Sequence, residues 1–164
     1  MKTHDLIIIG AGPAGLSAAA QASAMGVTPV VIDEGHSTGG RIYAQSGLMQ
    51  DDSSLESSRK IKQLNKTIRP SKNIIPQTQV IGIFPDNILL ITGKSGTVKI
   101  RYRSLIIAVG ARELSIPFPG WTLPGVMTSG CAQALIKTQG IFPEQAVLAG
   151  TGPLQLVLAA QILK

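Results

Sequence analysis

A single cysteine, Cys131, stands in 164 residues, so the chain forms no internal disulfide and carries no CxxC redox pair. A lone thiol of this kind fits a reducing, cytoplasmic compartment. The only histidines, His4 and His36, lie too far apart in sequence to read as a zinc site, and no metal is expected. Aromatic residues make up 4%, so the core has to be built from aliphatic and small side chains. Charged residues are 15%, too few for a disordered chain, while 44% hydrophobic residues suffice for a buried core. No apolar stretch reaches the roughly 18 uninterrupted residues of a membrane span. The length fits one domain of ordinary size.

Positive charge is in excess, with a formal net charge of +6. Basic chains often meet polyanions. Here the cations scatter, apart from a loose group at Arg59, Lys60, Lys62, Lys66, Arg69 and Lys72 with no aromatic residue between them. That pattern reads as a solvated helix face, and no nucleic-acid partner is expected. Glycine (18) and proline (10) are frequent, which predicts tight turns and close backbone approaches.

The richest stretch is "DLIIIGAGPAGLSAAAQASAMGVTPVVIDEG", residues 5–35. As an export leader it would have a basic start at Lys2 and a small-residue segment, "AAAQASA". Asp5 and the breaks at Gly10, Gly12, Pro13 and Gly15 oppose that reading. A nucleotide-binding turn accounts for the same residues. Leu6 to Ile9 is a short strand, and Gly10 lets the chain turn out of it. Gly12 leaves room for a pyrophosphate against the backbone, and Gly15 lets the next helix pack on the strand. The helix is expected from Pro13 to Met25, with Pro13 in the first turn and Gly26 ending it. Its free N–H groups, beginning around Ala14, then face the phosphates. A second strand follows at about Thr28 to Ile32. An acid at its end can accept hydrogen bonds from both ribose hydroxyls and repels a 2′-phosphate. Asp33 and Glu34 both qualify, 18 and 19 residues past Gly15.

Further on, residues 53–68 read as a helix with Ser53 or Ser54 as N-cap. "QVIGIF", "NILLIT" and "TVKIRY", split by "PD" and "GKSG", read as a three-stranded antiparallel meander. "SLIIAVG" then returns to the parallel sheet. "SGCAQALIKTQG" reads as a helix from Ser129 to Thr138, ended by Gly140.

With "GHSTGGRIY", "YRSLIIAVGARELSIPFPG", "GWTLPGVMTSG" and "AGTGPLQLVLAAQ" added, the sequence resembles the two-dinucleotide-domain flavoproteins, the pyridine nucleotide-disulfide oxidoreductase class in the broad sense. Within that class it is similar to the flavin subunits of opine oxidase, hydrogen cyanide synthase and D-hydroxyproline dehydrogenase. The resemblance runs from residue 4 to the last residue. It implies an α/β, Rossmann-like FAD-binding domain over 1–125, with a parallel sheet and the meander. It also implies the first βα unit of a second dinucleotide-binding domain over 126–164. FAD is the implied cofactor, and hydride transfer from an amine, opine or imino acid to the flavin is the implied reaction. Gly10, Gly12, Pro13, Ala14 and Gly15 would hold the pyrophosphate. Glu34, by its spacing to Gly39 and Gly40, would hold the adenosine ribose. Gly40 and Arg41 would line the pyrophosphate and ribityl side, and the backbone of Val80 would meet adenine. Ala108, Val109 and Gly110 match the second flavin motif, with Arg112 a neighbour.

The sequence departs from the class in three places. Disulfide-reducing members use a cysteine pair, whereas Cys131 is alone and reads as a small buried thiol. The second glycine turn, Gly150 and Gly152, has Gln155 where a third glycine is usual, which argues against NAD at that turn. The C-terminal stretch with a Gly-Asp motif, which completes the flavin site in the class, is missing from these residues. A truncated product, an excised piece or one part of a split enzyme is expected. Residues 146–163, nearly uncharged, are expected to associate with a second copy or with a partner chain, or else to fold back on the flavin-binding sheet. No catalytic base stands out.

Overall fold

The computed structural model describes residues 1–42 and 73–163. The expected helix over 53–68 and the basic group between Arg59 and Lys72 lie outside the described residues. The chain divides into two compact units. Among described residues the first comprises 1–42 and 73–110, and the second 111–163.

The first unit is built on one six-stranded sheet. Its strands are β1 (Thr3–Ile9), β2 (Pro29–Ile32), β3 (Ile74–Ile75), β4 (Gln79–Phe84), β5 (Ile88–Gly93) and β6 (Gly96–Ile107), in the order β3-β2-β1-β6-β5-β4. β1 pairs in parallel with β2 and β6, and β2 with β3, whereas β4, β5 and β6 pair antiparallel. The apolar runs at Leu6–Ile9 and Val30–Ile32 are buried on both faces, as central parallel strands require. Helix α1 (Pro13–Ala24) covers one face. Leu16, Ala19 and Ala20 pack there against Leu6, Ile8 and Val31, and the alanines let the helix lie close. Met25 and Gly26, with φ +82°, end the helix. The alternate residues Ile7, Ile9, Val30 and Ile32 face a second layer, formed by Leu89, Ile91 and Ile100 of the meander.

Where a break was expected, β6 is continuous. The "TVKIRY" and "SLIIAVG" segments are two halves of a single strand. Residues 96–101 pair with β5 and 101–107 with β1, so only Arg101 is paired on both sides. A polar pair such as Arg103–Ser104 does not end a strand when one side is paired and the other faces solvent, and both residues are exposed. The β4–β5 turn places Asp86 and Asn87 in the left-handed region, which these residue types tolerate.

In the second unit, α2 (Ser129–Gln139) and α3 (Pro153–Ile162) pack against each other. Thr128 caps α2, its hydroxyl accepting from the Cys131 N–H at 3.3 Å, and Gly140 closes the helix at φ +67°. The Glu113 carboxylate also accepts from the Gly130 N–H at 2.8 Å, placing an anion at the positive end of that helix. Two expectations are corrected here. Cys131 is exposed rather than buried, because α2 has no buried residue. The strand expected before Gly150 does not form, since no described strand pairs with 146–149. A strand without a hydrogen-bonded neighbour leaves its backbone polar groups to water.

Candidate functional site

Because β1, β2 and β6 run parallel, the loops leaving their C-terminal ends gather at one sheet edge. Those loops are 10–12, which leads into α1, 33–41 and 108–110. The Gly10 N–H donates to the Ile32 carbonyl at 2.7 Å, and the Ala108 N–H to the Ile9 carbonyl at 2.8 Å. In an open parallel sheet this edge, where the chain leaves a central strand to either side, is the usual ligand crevice.

The three glycines of the first turn are glycines for different reasons. At Gly10, φ is +104° and a Cβ would strike the Ala108 carbonyl oxygen. At Gly15 a Cβ would strike the Gly10 carbonyl oxygen. Both are therefore set by packing within the chain. Gly12 is not. Its φ of −73° and ψ of −179° suit any residue, and a Cβ there meets nothing within 4 Å. The face of Gly12 is open to a group from outside.

Around that face the chain has left donors and removed acceptors. α1 has no side-chain cap and no acidic residue in its first turn, and its first intrahelical bond runs from Leu16 N–H to Gly12 C=O at 2.9 Å. The exposed Ala14 lies in this first turn. Gly40, at φ +56°, lies against Gly12, with room for nothing larger, since a Cβ would come within 3.0 Å of the Gly12 Cα. The Gly39 N–H anchors this segment by donating to the Ala11 carbonyl at 2.7 Å, and Arg41 is exposed beside it.

The acidic pair is divided between two tasks. Asp33 is consumed by the fold. Its Oδ2 accepts from the Ala11 N–H at 2.5 Å and its Oδ1 from the Gly35 N–H at 2.8 Å. Glu34 is exposed and lines a shallow depression with Gln77, Gln79, Thr92 and Gly93. Gln77, strained at φ +52°, donates its N–H to the Gly35 carbonyl, and its side-chain amide meets His36 Nδ1. Val80 follows Gln79 in β4. It is half-buried against the Ile7–Ile9 layer, where the β4–β5 register shifts.

Ala108, half-buried, contacts the α1-side core, while Val109 and Gly110 (φ +74°) are exposed beyond it. The first unit thus brings Gly10–Gly15, Glu34, Gly40 and Ala108–Gly110 to one edge. Arg112 belongs to the second unit and is exposed. Sequence reasoning missed the bracing done by Asp33, Gly39 and Gln77. An acid at a strand end was visible for the first. Nothing in the sequence singles out Gln77. No group of His, Cys, Asp and Glu suited to a metal occurs among the described residues. None of the described helices is long and apolar enough to cross a membrane.

A family model described as pyridine nucleotide-disulphide oxidoreductase matches residues 4–164. The chain is 33% identical to an opine oxidase subunit of Agrobacterium tumefaciens (strain Ach5), over 98% of its own length and 34% of that protein's. It is likewise 33% identical to hydrogen cyanide synthase subunit HcnB of Pseudomonas protegens, over 95% of its length and 35% of that protein's. The chain thus spans about a third of the length of the curated relatives it matches. Among solved structures, L-proline dehydrogenase from P. horikoshii superposes with a TM-score of 0.68 at 23% identity, over 82% of this chain and 28% of that one. That likeness is one of fold, a mixed α/β, Rossmann-like sheet. With the family model covering nearly every residue, the chain belongs to the pyridine nucleotide-disulphide oxidoreductase family.

Proposed function

We propose that this chain carries the adenosine-pyrophosphate half of the FAD site of an oxidoreductase. The observation that carries this reading is the open face of Gly12 beside an uncapped helix N-terminus. A pyrophosphate fits there, met by backbone N–H groups and by the helix dipole. Gly10, Gly15 and Gly40 shape the cradle, Pro13 and Ala14 form its helical wall, and Arg41 offers a cation at its rim. Glu34, left free by Asp33, takes the ribose hydroxyls. The backbone near Val80, which follows Gln79 of the depression, would meet adenine, and Ala108–Gly110 would line the rest of the cofactor.

When bound, FAD supplies the hydride acceptor, and the protein's part is to hold and orient it. The relatives' names point to an amine, opine or imino acid as donor. No catalytic residue is assigned. A reducing, cytoplasmic setting suits a chain whose one thiol is exposed. A second reading, a non-catalytic ADP- or FAD-binding piece or one completed by a partner chain, is favoured by the apolar surface of 146–163. Val147, Leu156 and Leu163 are there 95%, 76% and 87% exposed. Such surface is a contact for a second copy or for a partner chain.

Calorimetric titration of the purified chain with ADP and with FAD tests the site. Saturable binding is expected, and Gly12→Val is expected to abolish it. Undiminished binding in that variant would remove the pyrophosphate from this turn.

A further inference from the structure

Gln77 holds a backbone conformation that its residue type disfavours. Its φ is +52°, in the left-handed region where glycine and asparagine sit most easily. The surrounding chain leaves it no other. Its N–H donates to the Gly35 carbonyl at 3.0 Å, and the next N–H, of the buried Thr78, donates to the Asp33 carbonyl at 2.9 Å. On its other side the segment lies tight against the end of β5. A Cβ at Gly93 would come within 2.8 Å of Thr78 Oγ1 and 3.2 Å of the Gln77 carbonyl oxygen. A backbone fixed this firmly against residue preference marks a position whose side chain has a task.

That task is visible in the contact it makes. The Gln77 amide meets His36 Nδ1, whereas glycine would reach nothing and asparagine is one methylene shorter. The Asp33 N–H in turn donates to the Ile75 carbonyl at 3.0 Å. The 75–78 segment therefore ties the loop leaving β2 at residues 33, 35 and 36. Glu34 lies between these ties. It is exposed, and it lines the same depression as Gln77 and Gln79. A carboxylate on an exposed loop serves a ligand best when the loop is already ordered, since otherwise binding must offset the entropy of fixing it.

We infer that Gln77 is the positioning residue for Glu34. Its amide on His36 closes the loop around that carboxylate, and it holds the ribose acceptor and the adenine side, Gln79 and Val80, in one frame. The inference rests on the ribose reading of Glu34 and goes beyond it in naming the residue that gives the carboxylate its place.

Calorimetric ADP titration and thermal unfolding of Gln77→Asn, His36→Ala and the double variant test it. Asparagine accepts the positive φ, so Gln77→Asn is expected to keep its Tm within about 2 °C of the parent's. Its ADP affinity is expected to fall about two- to tenfold, the loss of one hydrogen bond. His36→Ala is expected to show the same fall and the double variant no further one, because both substitutions remove a single contact. A larger drop in Tm would make Gln77 a structural prop and overturn the inference, as would additive losses or parent affinity in either single variant. Parent affinity in Glu34→Ala would overturn the ribose reading as well. With Glu34→Ala weakened and Gln77→Asn unchanged, the positioning role alone fails.

Discussion

Asp33 braces the backbone while Glu34 stays exposed, and the separation can be measured. Removing the Asp33 carboxylate by Asp33→Ala strands the N–H groups of Ala11 and Gly35. A charge-assisted acceptor is worth about 1.5–3 kcal/mol, and a buried orphan donor costs about 1–3 kcal/mol. Both bonds are only partly buried, so about 2 kcal/mol for the pair is the reasonable expectation. For a chain of this size, 1 kcal/mol moves Tm by about 2–4 °C, giving a fall of about 4–8 °C. Glu34→Ala removes an exposed side chain that braces nothing, so its stability is expected to stay within about 0.5 kcal/mol of the parent. ADP affinity should behave the other way. Losing the ribose acceptor weakens binding by about 1–3 kcal/mol, roughly five- to 150-fold. Thermal unfolding followed by circular dichroism, with calorimetric ADP titration of the same samples, reads both effects. If Glu34→Ala lowered Tm as far as Asp33→Ala and kept its ADP affinity, the division of labour would be refuted.

Gly15→Ala is expected to cost about 1–3 kcal/mol, because its Cβ meets the Gly10 carbonyl. Gly12→Ala should cost under about 1 kcal/mol, and equal denaturation midpoints for the two would show that packing does not distinguish them. Burial, aided by Lys2 and opposed by Asp5, holds the His4 imidazole below its ordinary 6.5. A depressed histidine stabilises the fold fully above pH 6.5, and that contribution is lost as pH falls through the lowered value. His4→Gln should therefore flatten the acid side of a stability–pH profile, and an unchanged slope would count against it. Removing residues 145–164 should give a more monomeric protein that still binds ADP, and identical sedimentation-equilibrium masses for both chains would refute association through that segment.

The parts of the fold that were legible are those coded locally. Leu6–Ile9, the glycine turn and an alanine run follow one another, and each constrains its own backbone. Which of two neighbouring acids faces outward depends on where Ala11 lies in space, and spacing to Gly15 carries no such information. Gly10, Gly12 and Gly15 look alike as letters, yet only the packed structure shows that two answer to the chain's own carbonyls and one does not. The burial expected of Cys131 failed because burial depends on what covers α2. Gln155 reads in the sequence only as a lost glycine, since the reach of its amide to the Ala149 carbonyl is a tertiary fact. The strand expected before Gly150 rests on an apolar run, which is necessary for a strand and not sufficient without a neighbour.

The continuity of β6 has a consequence for the order of assembly. Its first half closes a hairpin with β5, and β5 one with β4, contacts a few residues apart that form on the microsecond scale. Its second half must find β1, with Thr3 opposite Arg101 across nearly a hundred residues of chain. The meander is therefore expected to form first, and β1 to dock along the preformed strand later, an order that hydrogen-exchange labelling during refolding checks. The Gly10–Gly15 turn acquires its Ala108 wall only at that docking. A ligand that binds the finished turn recognises none of the earlier species, so it stabilises the last step alone, by mass action. If the proposed cofactor is that ligand, its supply governs how much of the chain completes folding, as well as how much is loaded.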